Sequence, residues 1–145
     1  MRGLIQRVSA ADVCVEGLSV GRIERGILLF LGIEGSDTLK QSSKMINKVL
    51  NYRIFPDDTG RMNLGVKEIQ GGVLVISQFT LVADTRKGLR PGFSTAATPE
   101  YAKACYEDFV SQLQAEYSPV ATGVFGADMQ VTLCNDGPVT FLLET

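Results

Sequence analysis

The sequence predicts an α+β fold in which a mostly antiparallel, curved or barrel-like β-sheet packs against two main α-helices. Three observations predict it. Short apolar runs bounded by Gly-bearing turns fill both ends of the chain, two segments switch to helical period, and these helices stand between groups of strands. Regular strand-helix alternation is missing, as are G-x-G-x-x-G and Walker sequences, so nothing points to a dinucleotide-binding sheet. At 145 residues the chain reads as a single domain, 1–145, large enough to bury a core without metals or disulfides.

The elements follow in order. "LIQRVS", "DVCVEG" and "LSVGRI", the last two around Glu16-Gly17, and then "GILLFLGI" after Glu24-Arg25-Gly26, read as strands whose close turns imply antiparallel neighbours. From residue 36 or 37 the period changes: Leu39, Met45 or Ile46, Val49 and Leu50 mark an amphipathic helix ending near Asn51. "YRIF" is a short strand, "PDDTGRMNLG" a polar loop or hairpin, and "GGVLVISQFTLVA" an apolar and therefore central strand. An irregular stretch, "DTRKGLRPGFSTAA", leads to Thr98-Pro99-Glu100, which opens a helix as cap, first-turn Pro and first-turn acid. Its buried stripe is Ala102, Cys105, Tyr106, Phe109, Val110 and Leu113, and "VATGVFG", "MQVTLC" and "VTFLLE" close the chain as strands, the last two joined by "NDGPVT" as a hairpin turn.

Composition narrows the function. The 14 basic and 16 acidic residues nearly cancel, which argues against coating long stretches of nucleic acid and leaves room only for local contact. Three widely spaced cysteines, Cys14, Cys105 and Cys134, form neither a disulfide framework nor a zinc motif and are expected in buried packing in a reducing compartment. No apolar run is long enough to cross a bilayer, and a cytoplasmic protein is expected. There is no histidine, so Ser-His-Asp and Cys-His arrangements and histidine-bearing metal sites are excluded. No metal or cofactor is indicated.

Four segments remain as candidates. Ser77-Gln78-Phe79-Thr80-Leu81 sets two hydroxyls and an amide in an apolar strand; they either satisfy themselves locally or form the floor of a pocket. Residues 135–140, "NDGPVT", are either a turn stiffened by proline or backbone held in a special shape, since Gly-Pro makes a cis bond accessible. Arg86, Lys87 and Arg90 are either solvated or contacts for phosphate, and Phe125 and Met129 are either core or a platform for a base. Asp84, Asp128 and Asp136 lie beside these segments, yet no spacing pairs them for acid–base work.

"SQFTL" and "NDGPVT" together resemble the two signature motifs of the D-aminoacyl-tRNA deacylases, S-Q-x-T-L and N-x-G-P-V-T. "IQRV", "YRIFPDDTGRMNL", "RPGFS" and "FGADMQV" are also similar to that family, in order along the whole chain. The resemblance implies a homodimeric hydrolase, without cofactor, that cleaves the ester joining a D-amino acid, or glycine, to the 3′-terminal adenosine of tRNA. It implies that Gly137 and Pro138 form a cis peptide reaching into the partner subunit's site, where main-chain oxygens engage the substrate's amine and an L side chain is excluded.

By the same likeness Ser77, Gln78, Phe79 and Thr80 line the reacting ester, with backbone N–H groups near Phe79 and Thr80 stabilising the oxyanion. Thr80 then positions rather than attacks, because no base stands near it in sequence; water attacks with help from the ribose 2′-hydroxyl. Ala102, Phe125 and Met129 match the adenosine site, and Arg7 and Asn135 match residues supporting the Gly-Pro segment. Arg86, Lys87 and Arg90 are the expected contacts for tRNA phosphates. Two alternatives stay open: a sister deacylase with a trans Gly-Pro that removes L-alanine, and a non-catalytic protein that binds a tRNA end or nucleotide.

Overall fold

The computed structural model describes residues 1–86 and 88–145. Their elements run β1 (Arg2–Val15), β2 (Leu18–Ile23), β3 (Gly26–Gly32), α1 (Leu39–Asn51), β4 (Phe55–Pro56), β5 (Met62–Leu64), β6 (Gly72–Ser77), a 3-10 turn (Phe79–Val82), α2 (Pro99–Glu116), β7 (Val120–Thr122) and β8 (Gln130–Glu144). The α+β class is as expected.

β1 organises the sheet. Along one edge it pairs antiparallel with β8, from Arg2↔Glu144 to Cys14↔Gln130; its other edge is shared end to end by β3 and β2. "LIQRVS" and "DVCVEG", expected as two strands, are therefore one. β2 and β3 are likewise not partners of each other, because both bond to β1. Glu16 and Gly17 take φ of 51° and 80°, the left-handed pair that a two-residue hairpin needs to match strand twist.

The remaining pairings of this sheet, β3–β6 and β6–β7, are parallel, and each connection passes through a helix, while β4 and β5 pair antiparallel as a separate hairpin. The sheet is thus mixed, with its antiparallel part built on β1. A Cβ added at Gly21 of β2 would stand 2.4 Å from the Thr122 carbonyl oxygen of β7. This approach brings the two ends of the strand path together and nearly closes a barrel.

Closure explains the continuous apolar runs. Ile27, Leu29, Leu31, Val73 and Val75 face Met45, Ile46, Val49 and Leu50 of α1 and Tyr106, Phe109 and Leu113 of α2. Leu28, Leu74 and Ile76 point the other way, into a second core with Val8, Val13 and Ile23. Strands buried on both faces lose the polar alternation of surface strands. α1 starts with a capping box between Thr38 and Gln41, and α2 with Thr98 accepting from the Tyr101 N–H ahead of Pro99 at the first turn.

Two segments depart from expectation. "NDGPVT" is not a hairpin turn, because β8 continues through it along β1. The register passes from Val8↔Asn135 to Gln6↔Thr140, so Arg7 alone faces residues 136–139, which bulge outward. β1 offers one long edge, and a single strand with a bulge satisfies more of it than a hairpin could.

"SQFTL" is not continuous strand either: β6 ends at Ser77, and Phe79 to Val82 wind into a 3-10 turn closed by Leu81 N–H to the Gln78 carbonyl, 3.2 Å, and Ala83 N–H to the Thr80 carbonyl, 3.2 Å. Similarly, only Val120–Thr122 of "VATGVFG" is extended. The cysteines are less buried than expected, with Cys134 exposed and Cys14 and Cys105 half-buried.

Candidate functional site

A cavity of about 450 Å³ opens beyond the C-terminal end of β6, where ligands commonly sit in sheets with helical crossovers. Ser77, Gln78 and Phe79 form one side of it; Ala96, Ala97, Pro99 and Ala102 form a second; Phe125 and Met129 form a third. The structure therefore gathers Ser77, Gln78, Phe79, Ala102, Phe125 and Met129, which lie far apart in sequence. Among the described residues none of its lining side chains is ionisable.

The change from strand to 3-10 turn shapes the reactive edge. The Gln78 N–H still extends the ladder to the Leu31 carbonyl at 2.8 Å, but the next two amides sit at the open start of the turn. Among the described residues neither the Phe79 nor the Thr80 N–H is hydrogen-bonded. Two free main-chain donors beside a cavity can hold a developing negative oxygen. Had the strand continued, the ladder would have consumed donors there.

Thr80 is exposed and does not line the cavity; its Oγ1 accepts a hydrogen bond from the Gln78 amide Nε2. The pair fixes the Gln78 side chain against the turn. The Phe79 ring stands out of the surface, 64% exposed, tilted against Phe93 with centroids 5.2 Å apart.

Tyr106, expected only in a buried stripe of α2, does not line the cavity but braces its wall from behind. Its hydroxyl donates to the Val75 carbonyl at 2.9 Å, and that oxygen also accepts the Gly123 N–H at 3.0 Å, so one carbonyl of β6 joins α2 to the segment bearing Phe125. The Tyr106 ring lies 5.8 Å from that of Phe125. Burial drives its phenol pKa well above the usual value, keeping it a neutral donor. A hydroxyl on an otherwise apolar helical stripe was the available signal.

The bulge is held from two sides. Asn135 accepts the Val139 N–H on Oδ1 at 2.7 Å and donates Nδ2 to the Val139 carbonyl, 3.3 Å, and to Thr140 Oγ1, 3.0 Å. Arg7 donates Nε to the Asp136 carbonyl and Nη1 to the Ile54 carbonyl, both at 2.7 Å. Gly137 has φ of 152°, and a Cβ there would fall 2.6 Å from Val139 Cγ2 and 2.9 Å from its backbone nitrogen, so glycine is required. The Gly137-Pro138 peptide bond is cis. Both residues are exposed and neither lines the cavity of its own chain.

The expected phosphate contacts fare unevenly. Arg86 is tied to Asp84 by Nε–Oδ1 at 2.9 Å and Nη2–Oδ2 at 2.8 Å, which holds the Asp84 carboxyl well below the usual carboxylate range and sets a carboxylate directly against the guanidinium. Arg90 is exposed. Lys87 lies outside the described residues.

Comparison with known proteins places these features in context. The family model described as D-Tyr-tRNA(Tyr) deacylase matches residues 4–144. A D-aminoacyl-tRNA deacylase of Saccharophagus degradans is 61% identical over 143 residues, covering 99% of both chains. One from Pseudomonas fluorescens is 54% identical over the whole of both. Among solved structures, one described as c-Myc DNA Unwinding Element Binding Protein superposes with a TM-score of 0.96 at 41% identity, covering 100% of this chain and 99% of that one. A second, described as a probable eukaryotic D-amino acid tRNA deacylase, has a TM-score of 0.84 at 15% identity and covers 98% and 97%, a likeness of fold.

Proposed function

The chain belongs to the D-Tyr-tRNA(Tyr) deacylase family and is a hydrolase of aminoacyl-tRNA esters, and from this premise we propose how its residues perform the reaction. The terminal adenosine occupies the wall formed by Ala102, Phe125 and Met129, which sets the aminoacyl ester against Ser77, Gln78 and the start of the 3-10 turn. Water adds to the ester carbonyl, the Phe79 and Thr80 amides take the charge on its oxygen, and collapse releases the amino acid and the 3′-hydroxyl of tRNA. The ribose 2′-hydroxyl assists the water, and Thr80 positions Gln78 rather than attacking.

Selectivity in this reading comes from a second copy of the chain. Its Gly137-Pro138 bulge enters the open side of the cavity, where main-chain oxygens bind the substrate's α-amino group and leave no room for an L side chain. Glycine, with no side chain to exclude, is accepted along with D-amino acids. Arg7 and Asn135 hold the bulge for this task, and the protein acts in the cytoplasm on charged tRNA.

The observation that carries the reading is the pair of amides, unbonded among the described residues, beside a cavity to which those residues bring no ionisable side chain. Such a site suits a reaction needing charge stabilisation but no protein acid or base. The test is the release of amino acid from D-tyrosyl-tRNA and L-tyrosyl-tRNA by the pure protein. Release of D-tyrosine alone is expected. Failure to release it removes the enzymatic reading, and equal release of L-tyrosine removes the exclusion of L substrates.

A further inference from the structure

The exposed face of α1 carries Lys40, Lys44 and Lys48 at four-residue spacing, and the helix contains no acidic residue. Each four-residue step advances about 6 Å, so the three lysines form a file about 12 Å long. Ion pairs elsewhere engage Arg2, Arg7, Arg22, Lys67, Arg86 and Lys103. Among the described residues none of the three α1 lysines meets a carboxylate, and Lys48 only donates to the Glu144 carbonyl at 2.6 Å.

Neighbouring α2 has the opposite character, with Glu100, Glu107, Asp108 and Glu116 against Lys103. The two-helix layer is thereby divided into a cationic and an anionic side. Like charges four residues apart on a helix repel, so apart from the Lys48 bond to β8 the file does not stabilise the fold. A polyanion lying along it would remove that repulsion.

The file begins at the cavity rim. The turn before α1 bridges Glu34 to Ala96, donates the Gly35 N–H to the Thr95 carbonyl at 3.0 Å, and accepts the Tyr101 hydroxyl on the Asp37 carbonyl at 2.5 Å. Ala96 lines the cavity, and Lys40 stands in the first turn that follows. An RNA whose 3′ end fills the cavity must carry its phosphates past this rim, attracted by α1 and repelled by α2.

We infer that the Lys40-Lys44-Lys48 file is the docking surface for the phosphate backbone of the substrate tRNA's acceptor stem. The inference rests on the aminoacyl-tRNA reading given above. It assigns the principal cations to α1 rather than to Arg86, whose charge Asp84 already meets.

The test compares the wild type, a Lys40→Gln/Lys44→Gln/Lys48→Gln variant and an Arg86→Gln/Arg90→Gln variant on two substrates, D-tyrosyl-tRNA and D-tyrosyl-adenosine. Glutamine keeps helix propensity, and unchanged thermal unfolding confirms the fold. On tRNA the lysine variant is expected to raise KM about 10-fold with kcat retained and to lower the slope of log kcat/KM against log salt by about 3, for three lost contacts. On D-tyrosyl-adenosine, which has no stem, its kcat/KM should stay within about twofold of wild type, since the phosphate contacts do not exist there. An unchanged KM and salt slope on tRNA would overturn the inference, as would an equal loss on both substrates or a salt slope carried by Arg86 and Arg90. Inactivity of the wild type on both substrates would instead overturn the deacylase reading itself, and this inference with it.

Discussion

Thr80 is where the chemistry can be pressed hardest at a single residue. A threonine nucleophile needs a group to take its proton, yet its Oγ1 accepts from Gln78 Nε2 and, among the described residues, no side chain lining the adjoining cavity is ionisable. Thr80→Ala removes one hydrogen bond that fixes Gln78, a loss of about 0.5–1.5 kcal/mol, or about 2–10-fold in kcat. Single-turnover deacylation of D-tyrosyl-tRNA measures it. Complete loss of turnover with undiminished tRNA binding would mean that Thr80 attacks after all. The residue types of this site were legible in the sequence, but the geometry was not: "SQFTL" reads as strand from its β-branched and apolar content, and only the break at Ser77 frees the Phe79 and Thr80 amides.

At the scale of elements, local signals succeeded where local forces decide and failed where pairing decides. α1 was legible from its period and stop, because its cap and stripe lie within 14 consecutive residues, Thr38 with Leu39–Asn51. "NDGPVT" carries every mark of a hairpin, and nothing nearby reveals that β1 is long enough to hold the strands on either side of it as one. The resulting bulge makes Gly137 the sensitive position. Gly137→Ala puts a Cβ 2.6 Å from Val139 Cγ2 at a φ that L-residues avoid, a local cost of about 1–3 kcal/mol. The expected result is a thermal midpoint lowered by about 2–12 °C, with at least a tenfold fall in activity on D-tyrosyl-tRNA. Calorimetry beside the deacylation assay separates the two, and unaltered activity would show that the bulge takes no part.

The β4–β5 hairpin yields a different test. Asp57 accepts from Thr59 Oγ1 at 2.7 Å, Asn63 Nδ2 at 2.7 Å and the Arg61 N–H at 3.0 Å, bonds that lower its pKa from 3.8 to about 2. A carboxyl depressed on folding stabilises above its unfolded value and loses that contribution as pH falls through its folded one. The hairpin should therefore loosen between pH 3.8 and about 2. A carbon-detected titration of the Asp57 carboxyl with a midpoint near 4 would contradict this, and Asp57→Asn should remove the pH dependence in that window.

At the scale of the whole molecule, the cavity and the Gly137-Pro138 bulge lie apart on one chain. The cavity lies beside the unbonded Phe79 and Thr80 amides, while a bulge held by Arg7 and Asn135 projects into solvent from another part of the surface. Exposed Phe79 and Phe93 beside the cavity and exposed Leu142 on β8 add apolar surface that a lone chain does not bury. A two-fold dimer that set each bulge into the other copy's cavity would account for all of this. Complementation decides it. Gly137→Ala spoils the bulge and Ala102→Phe fills the cavity, and each variant alone should fall at least tenfold in activity on D-tyrosyl-tRNA. When the two are co-expressed in equal amounts, half of the dimers are mixed, and each mixed dimer joins one intact cavity to one intact bulge. Activity should then return to about a quarter of the wild-type level, the statistical value for a two-fold assembly with sites shared between copies. A bulge that served its own chain's cavity would leave both sites of every mixed dimer defective, and activity would not return.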